Sequence, residues 1–97
     1  MAKGYWITTY HSIENENKMA TYKEKAGPVL VEQGGRFIVR GEPVKVYEQG
    51  IMQRVVIIEF ENIEKAILAH DSPGYQEALK LLGDGAKRDI RFVEGLF

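Results

Sequence analysis

The stretch Arg54-Val-Val-Ile-Ile-Glu-Phe60 constrains the fold more than any other part of the sequence. Four β-branched residues follow one another from Val55 to Ile58, and such side chains favour an extended backbone. A strand with one wet face alternates apolar and polar residues, whereas this run does not. The pattern therefore predicts a central strand that is covered on both faces. Glu59 interrupts the run, and a carboxylate in such a place needs a partner.

The length of the chain limits how such a strand can be covered. The 97 residues predict one domain over residues 1–97. A domain of this size buries only somewhat more than ~60% of the surface of its unfolded chain. Its own helices can cover one face of a sheet, so we expect a second copy to cover the other. The sequence thus predicts a homodimer whose copies close over a small pocket.

Composition excludes several classes of partner and site. The chain has no cysteine, which rules out disulfides, thiolate nucleophiles and cysteine-based metal sites. Thirteen basic and 14 acidic side chains give a formal charge of −1 without blocks of one sign, so nucleic acid and anionic membranes are not expected as partners. The first residues lack the apolar core of a signal peptide, and no apolar run approaches the ~20 residues of a membrane span. We expect a cytoplasmic protein.

The first half of the chain reads as strand, helix, strand. Gly4–His11 forms the first strand, with Trp6, Thr8 and Tyr10 on one face. Asn15 or Ser12 caps the helix that follows, and Gly34-Gly35 ends it. Gly27-Pro28 predicts a kink or a restart within this helix, because proline removes an internal hydrogen bond.

Besides the central strand, three strands are predicted after this helix. In Arg36–Arg40, alternation places Phe37 and Val39 on one face of the strand. Arg36, Ile38 and Arg40 are predicted to lie on the other face. Val44–Tyr47 reads as a short edge strand after a turn, before the central strand. Asp89–Glu94 is the last strand.

Two short helices separate the central strand from the last one. Asn62 caps the first, which breaks at His70-Asp71. Ser72 caps the second, with Pro73 at its first position, and Gly83-Asp84-Gly85 stops it. The order matches the βαββαβ pattern of the ferredoxin-like fold, an α+β fold with an antiparallel sheet and helices on one face. Two such sheets packed face to face make a dimeric α+β barrel.

Four segments together resemble a known family. They are Gly4-Tyr-Trp-Ile7, Gly34-Gly-Arg-Phe-Ile-Val-Arg-Gly41, Val55-Val-Ile-Ile-Glu-Phe60 and Ser72-Pro-Gly-Tyr75, and their order is similar to that in the family described as domain of unknown function 1330. The resemblance runs nearly end to end. It implies a dimeric α+β barrel, in a superfamily that includes cofactor-independent monooxygenases, lactone isomerases and haem enzymes, and it supplies no reaction.

Charged residues within apolar strands are the first candidates for chemistry. Glu59 could be a general base or a hydrogen-bond acceptor in a pocket. It could equally form an ion pair with Arg40 or Arg91 that fixes the sheet. Arg40 could instead bind the carboxylate or enolate of a ligand through its fork of donors.

Other candidates have a structural reading beside the functional one. Ser72 is typical of a helix cap, although a helix N-terminus can also bind an anion. Tyr75 either points its hydroxyl into a pocket or packs in the core, and Trp6, Tyr10 and Phe92 either wall a pocket or belong to the core. The two histidines, His11 and His70, could shuttle protons or bind a metal, and the superfamily resemblance adds a haem ligand as an alternative for His70, but both read more simply as surface or helix-end residues.

Two hypotheses of function follow. In the first, the chain is a small enzyme that transforms an organic acid or aromatic compound, with Glu59 as base, Arg40 binding an anionic group and Tyr75 orienting the substrate. In the second, the chain is a non-catalytic ligand-binding or structural dimer whose charges serve stability. No phosphate-binding loop, nucleotide fingerprint or metal cluster is visible, so no metal or nucleotide cofactor is expected.

Overall fold

The computed structural model describes residues 2–97. It contains four strands and three helices, in the order β1 (Gly4–Ile13), α1 (Glu16–Glu32), β2 (Arg36–Gly41), β3 (Val55–Phe60), α2 (Ile63–Asp71), α3 (Pro73–Leu82) and β4 (Ala86–Glu94). The strands form one antiparallel sheet in the order β2-β3-β1-β4. This is the predicted ferredoxin-like βαββαβ fold, with β3 inside the sheet.

The core lies on one face of the sheet, under the helices. Val56, Ile58 and Phe60 of β3 are buried there, next to Trp6 and Tyr10 of β1. The alternate residues of β3 point to the opposite face, where they are only half-buried. The helices of this chain all pack on one side of the sheet, so they cover one face of β3. The other face, which the sequence also predicts to be covered, is open in the single chain.

A β-bulge in β2 changes the predicted facing of its side chains. Phe37 pairs with Ile58 and Val39 with Ile57, so Ile38 is an extra residue without a partner on β3. Consequently Phe37 and Arg40 share the helix-covered face, and the Arg40 guanidinium lies 4.6 Å from the centre of the Phe37 ring. The prediction that Phe37 and Val39 share a face was wrong, since simple alternation does not survive a bulge.

Two local predictions are corrected by the structure. Val44–Tyr47 is not a strand: residues 42–54 connect β2 to β3 as a loop, and Val44 is 99% exposed. The loop has a local turn, with Gly50 N donating to Tyr47 O, rather than a ladder with β2. Helix α1 runs unbroken through Gly27-Pro28, so the predicted restart is wrong, whereas the kink given as its alternative stays a prediction; Tyr22, Ala26 and Leu30 bury one continuous stripe across that point.

The predicted helix ends are confirmed. The side chain of Asn15 accepts from the backbone N–H of Lys18, and that of Asn62 from Lys65, each at 2.9 Å. Gly34 takes the left-handed conformation after α1, with φ of 96°. Such caps satisfy backbone donors and acceptors that a helix leaves unpaired at its ends.

Candidate ligand-binding site

A cavity of about 360 Å³ lies between α1 and the covered face of the sheet. A cavity of this volume lies near the lower end of the range for small-molecule sites. Residues from α1, all four strands and the end of the 42–54 loop line it, namely Trp6, Thr8, Tyr10, Tyr22, Lys23, Ala26, Gly27, Leu30, Phe37, Arg40, Arg54, Val56, Ile58 and Arg88. One chain forms it alone, so it is not the space that we expected two copies to enclose.

Strand register gives this cavity a polar end and an apolar end. At the polar end, Tyr10 pairs with Arg88 on one side, and its N–H donates to the carbonyl of Arg54 on the other. At the apolar end, Trp6 pairs with Ile58, which pairs with Phe37. These two sets of paired residues contain Tyr10 and Trp6, which are four residues apart along β1, or about 13 Å at the usual rise of a strand.

Arg88 is fixed at the polar end by three tyrosines. Its Nη1 donates to the hydroxyls of Tyr10 and Tyr22 at 3.2 and 3.0 Å, and its Nη2 donates to Tyr75 at 3.1 Å. The Tyr22 and Tyr75 hydroxyls are 2.7 Å apart and bond to each other. A guanidinium held by several partners is preorganised, which lowers the entropy lost when it binds an anion.

Burial sets the protonation of this cluster. It raises the pKa of Tyr22, and the adjacent Tyr75 adds to the rise, although Arg88 opposes it. Burial also raises the pKa of Tyr10, against the charges of Arg88 and Arg54. Burial alone lowers the pKa of Arg88, but the tyrosine oxygens outweigh it and the net direction is upward. The arginine is therefore charged and the phenols of Tyr10 and Tyr22 are neutral at physiological pH.

The polar end has more hydrogen-bond donors than acceptors. Nε of Arg54 is buried and meets no acceptor within residues 2–97. Tyr10 accepts from Arg88, and no side chain that the structure describes receives the proton of its own hydroxyl. Trp6 Nε1 is already satisfied by Thr8 Oγ1 at 2.8 Å, so the apolar end adds no free donor. The surplus is concentrated between Arg54 and Arg88.

The lining carries positive charge without a compensating carboxylate. Lys23, Arg40, Arg54 and Arg88 contribute four cations, and no Asp or Glu of the described chain lines the cavity. Lys23 and Arg40 are exposed at the mouth, whereas Arg54 and Arg88 are partly buried deeper inside. Charges interact more strongly where water is excluded, so the inner pair is the stronger anion site. Chemically, the arrangement can stabilise a carboxylate, an enolate or a phenolate.

The structure brings some of the predicted site residues together. Trp6, Tyr10 and Arg40 line the cavity. Tyr75 is fully buried behind it and reaches it through its bonds to Arg88 and Tyr22. Phe92 packs against the Trp6 ring at a centroid distance of 5.3 Å and does not line the cavity.

Glu59 lies elsewhere. It is half-buried on the open face of the sheet and accepts from the Tyr5 hydroxyl at 3.1 Å, a bond that raises the pKa of Tyr5. The expected pairing with Arg40 is not formed, because the bulge in β2 turns Arg40 to the other face. Nor does Arg91 pair with it: Arg91 Nε donates to Asp89 at 3.1 Å on β4, across the intervening strand β1.

Ser72 and the histidines also lie outside the cavity. Ser72 Oγ caps α3 by accepting from Tyr75 N at 3.3 Å, and it donates to Ala69 O at 2.7 Å. His11 bonds Asp89 at 2.9 Å on the open face, and His70 packs among Trp6, Tyr75 and Phe92 near the end of α2. Within residues 2–97 no three His, Cys, Asp or Glu side chains are grouped to hold a metal ion.

Sequence reasoning missed Arg54 and Arg88 as site residues. Both were detectable from strand alternation. Arg54 precedes Val56 and Ile58 at intervals of two, and Arg88 precedes Ile90 and Phe92 in the same way. The predicted last strand begins at Asp89, whereas β4 begins at Ala86, so the prediction places Arg88 outside the strand.

The chain belongs to the family described as domain of unknown function 1330, whose profile matches residues 3–96. No functionally curated protein matches it. The membership agrees with the resemblance carried by the four sequence segments.

Solved structures share the fold at low sequence identity. A protein of unknown function from Rhodopseudomonas palustris superposes with a TM-score of 0.77 at 16% identity, over 99% of this chain and 84% of that one. A dimeric protein of unknown function and ferredoxin-like fold from Bacteroides fragilis gives 0.61 at 14%, over 96% of each chain. SnoaB, a cofactor-independent oxygenase from Streptomyces nogalater, gives 0.58 at 13%, over 97% and 91%. In the part of the chain that the structure describes, no helix is both long and apolar enough to span a membrane.

Proposed function

We propose that this protein binds a small organic acid with an apolar body in the cavity beneath α1. The observation that carries the proposal is the lining, with four cations and no carboxylate among the described residues. The acid's negative group lies between Arg54 and Arg88, where Arg54 Nε and the Tyr10 hydroxyl supply donors that lack acceptors. Its apolar body packs on Trp6, Ile58 and Phe37.

The protein's own residues supply the charge for this recognition, so the proposal requires neither a metal nor a nucleotide. Neutral phenols of Tyr10 and Tyr22 act as hydrogen-bond donors rather than as bases. The same site would stabilise an enolate or phenolate formed from a bound ligand. The likeness to an oxygenase of the same fold supports, at the level of fold only, a role with small molecules.

Trp6 makes the proposal easy to test, because it is the only tryptophan and it lines the cavity. Benzoate and hexanoate are titrated while tryptophan emission is followed, with benzamide and hexanamide as neutral counterparts. We expect the acids to bind at least about tenfold more tightly than the amides, because charge-assisted hydrogen bonds contribute roughly 1.5–3 kcal/mol. Equal affinity for acids and amides, or no response to either, would reject the proposal.

A pair of variants tests whether Arg54 causes the tighter binding of acids. Arg54→Met should weaken acid binding about tenfold, because it removes the orphaned donor and one charge. Lys87→Met is the matched control, since Lys87 is exposed, does not line the cavity and removes the same formal charge. It should bind the acids like the unmodified protein.

We also propose that two copies pair through the open face of the sheet. The exposed or half-exposed apolar residues there include Ile57 and Val93. The ferredoxin-like neighbour from Bacteroides fragilis is described as dimeric, which supports the proposal by analogy of fold.

A further inference from the structure

The cavity continues through a gap at Gly27 into a groove on the outside of the molecule. Lys23, Gly27, Phe37 and Arg40 line both spaces. A Cβ built on Gly27 would meet no atom within 4 Å, so open space lies beside the backbone at this point. Beyond the gap, the outer groove runs over Pro28 and the half-exposed Val31, with Glu24 at its rim. The shared lining residues therefore place the two spaces side by side, with the open space at Gly27 between them.

The sequence of α1 is unfavourable for a helix at this gap. Gly27 costs roughly 1 kcal/mol relative to alanine in a helix interior, and Pro28 roughly 3 kcal/mol. Pro28 is exposed, so no buried contact of its ring compensates for this cost. A larger side chain at position 27 would favour the helix and would narrow the opening.

We infer that the ligand is an acid whose apolar tail is longer than the inner cavity and passes Gly27 into the outer groove. This inference rests on the proposed function, which places the negative group at the inner end beside Arg54 and Arg88. The mouth lies at β2, three strand spacings from β4, or about 14 Å. A tail of about 14 Å therefore reaches from the inner site to the mouth. A longer tail continues into the outer groove, over Pro28 and Val31.

A homologous series of unbranched carboxylates, from butanoate to dodecanoate, tests this inference through tryptophan emission. In the unmodified protein the affinity should rise about threefold to fourfold for each added methylene, because each buries further apolar surface. The rise should continue to the longest acids. In Gly27→Leu the affinity should rise less steeply with tail length, so that the ratio of the longest acid's affinity to the shortest acid's falls at least about tenfold.

Ala20→Leu is the matched control, because Ala20 is exposed on the same helix and lies on neither the cavity nor the groove. It should leave the whole series unchanged. Gly27→Ala provides a second, milder variant in case leucine disturbs the fold: its unfolding midpoint should rise, while the affinity of the longest acids should fall.

The outcomes separate this inference from the function beneath it. If no acid of the series binds the unmodified protein, the proposed function fails. If short acids bind but the affinity stops rising before the longer ones, or if both Gly27 variants bind the long acids normally, the inner site stands and the passage past Gly27 is rejected.

Discussion

Arg88 is a partly buried charge whose role could be either ligand binding or stability of the fold. Its guanidinium donates to three tyrosine hydroxyls, and no carboxylate among the described residues lines its cavity. Hydroxyl dipoles solvate a guanidinium only in part, so burial still has a free-energy cost. A charge that served the fold alone would be expected to have a charged partner, whereas a charge that serves an anionic ligand is left open to it.

Replacing this arginine tests the two hypotheses. In Arg88→Met we expect the free energy of unfolding to change by no more than about 1 kcal/mol, because methionine fills similar space without a desolvation penalty. Binding of benzoate should be lost. Urea unfolding and tryptophan titration measure the two effects. A loss of more than about 3 kcal/mol of stability would instead support the hypothesis that the buried charges serve the fold.

Asp89 links stability to pH on the opposite face. Its carboxylate accepts hydrogen bonds from Thr9, His11 and Arg91. These bonds lower the pKa of Asp89, and the bond from Thr9 has the largest effect. A carboxyl group with a lowered pKa when folded stabilises the protein above its unfolded pKa of about 3.9, and the contribution is lost as the pH falls through the lower folded value. It is the ionised form that the three donors stabilise.

Asp89→Asn should therefore unfold more readily than the unmodified protein at neutral pH. The difference between the two melting temperatures should stay constant down to about pH 5 and shrink as the solution is acidified below about pH 4. Thermal unfolding followed by circular dichroism over this range checks it. A difference that grows on acidification would contradict the direction of the Asp89 pKa.

At the scale of elements, local signals were predicted more accurately than the pairing of strands. Asn62 and Ser72 were identified as caps, and Asn15 as one of two candidates, because a side-chain oxygen and an N–H three residues on are sufficient to form a cap. The bulge at Ile38 was missed, since it depends on how β2 aligns with β3. Register is a property of two strands, and neither segment alone contains it.

The same limit applied to the candidate site. Trp6 and Tyr10 were predicted to share a face of β1, and both line the cavity, although the pocket expected from the sequence lay between two copies. The polar end joins the loop before β3, β1 and the start of β4, which are far apart in the sequence. Glu59 was predicted as a site residue because it interrupts an apolar run. Neighbouring residues of a strand point to opposite faces, so Glu59 lies on the face opposite to the cavity.

Ser72 provides a prediction for the junction between α2 and α3. Its hydroxyl accepts from the first turn of α3 and donates to the last turn of α2. Ser72→Ala should lower the free energy of unfolding by roughly 1–2 kcal/mol, because it removes a cap and the shorter of the two hydrogen bonds that the Ala69 carbonyl accepts. Asn62→Ala, which removes only a cap, should cost less. Urea unfolding gives both values.

Neither cap variant should alter the binding of benzoate, because neither residue lines the cavity. If Ser72→Ala abolishes binding while it is no less stable than Asn62→Ala, the sequence-based hypothesis of an anion site at the start of α3 would be correct after all.

At the scale of the whole molecule, the open sheet face and the cavity lie on opposite sides of the same four strands. Tyr5, Ile7 and Ile57 form the centre of the open face, where Ile7 and Ile57 are paired across β1 and β3. The helices cover only the other side. The proposed pairing of two copies would thus bury this face and leave the ligand cavity within each copy.

Ile57→Glu separates pairing from binding. A carboxylate at the centre of the contact would be buried without a partner, so we expect the variant to sediment as a single copy of 11.0 kDa and the unmodified protein as two. Leu81→Glu is the control, because Leu81 is 43% exposed on α3, away from the open face, and its variant should still pair.

The separated copy should still bind benzoate, since every residue that lines the cavity comes from one chain. Analytical ultracentrifugation and tryptophan titration on the same sample measure both properties. An unmodified protein that sediments as one copy would reject the pairing. A separated, folded copy that no longer binds would show that a second chain completes the cavity, contrary to this prediction.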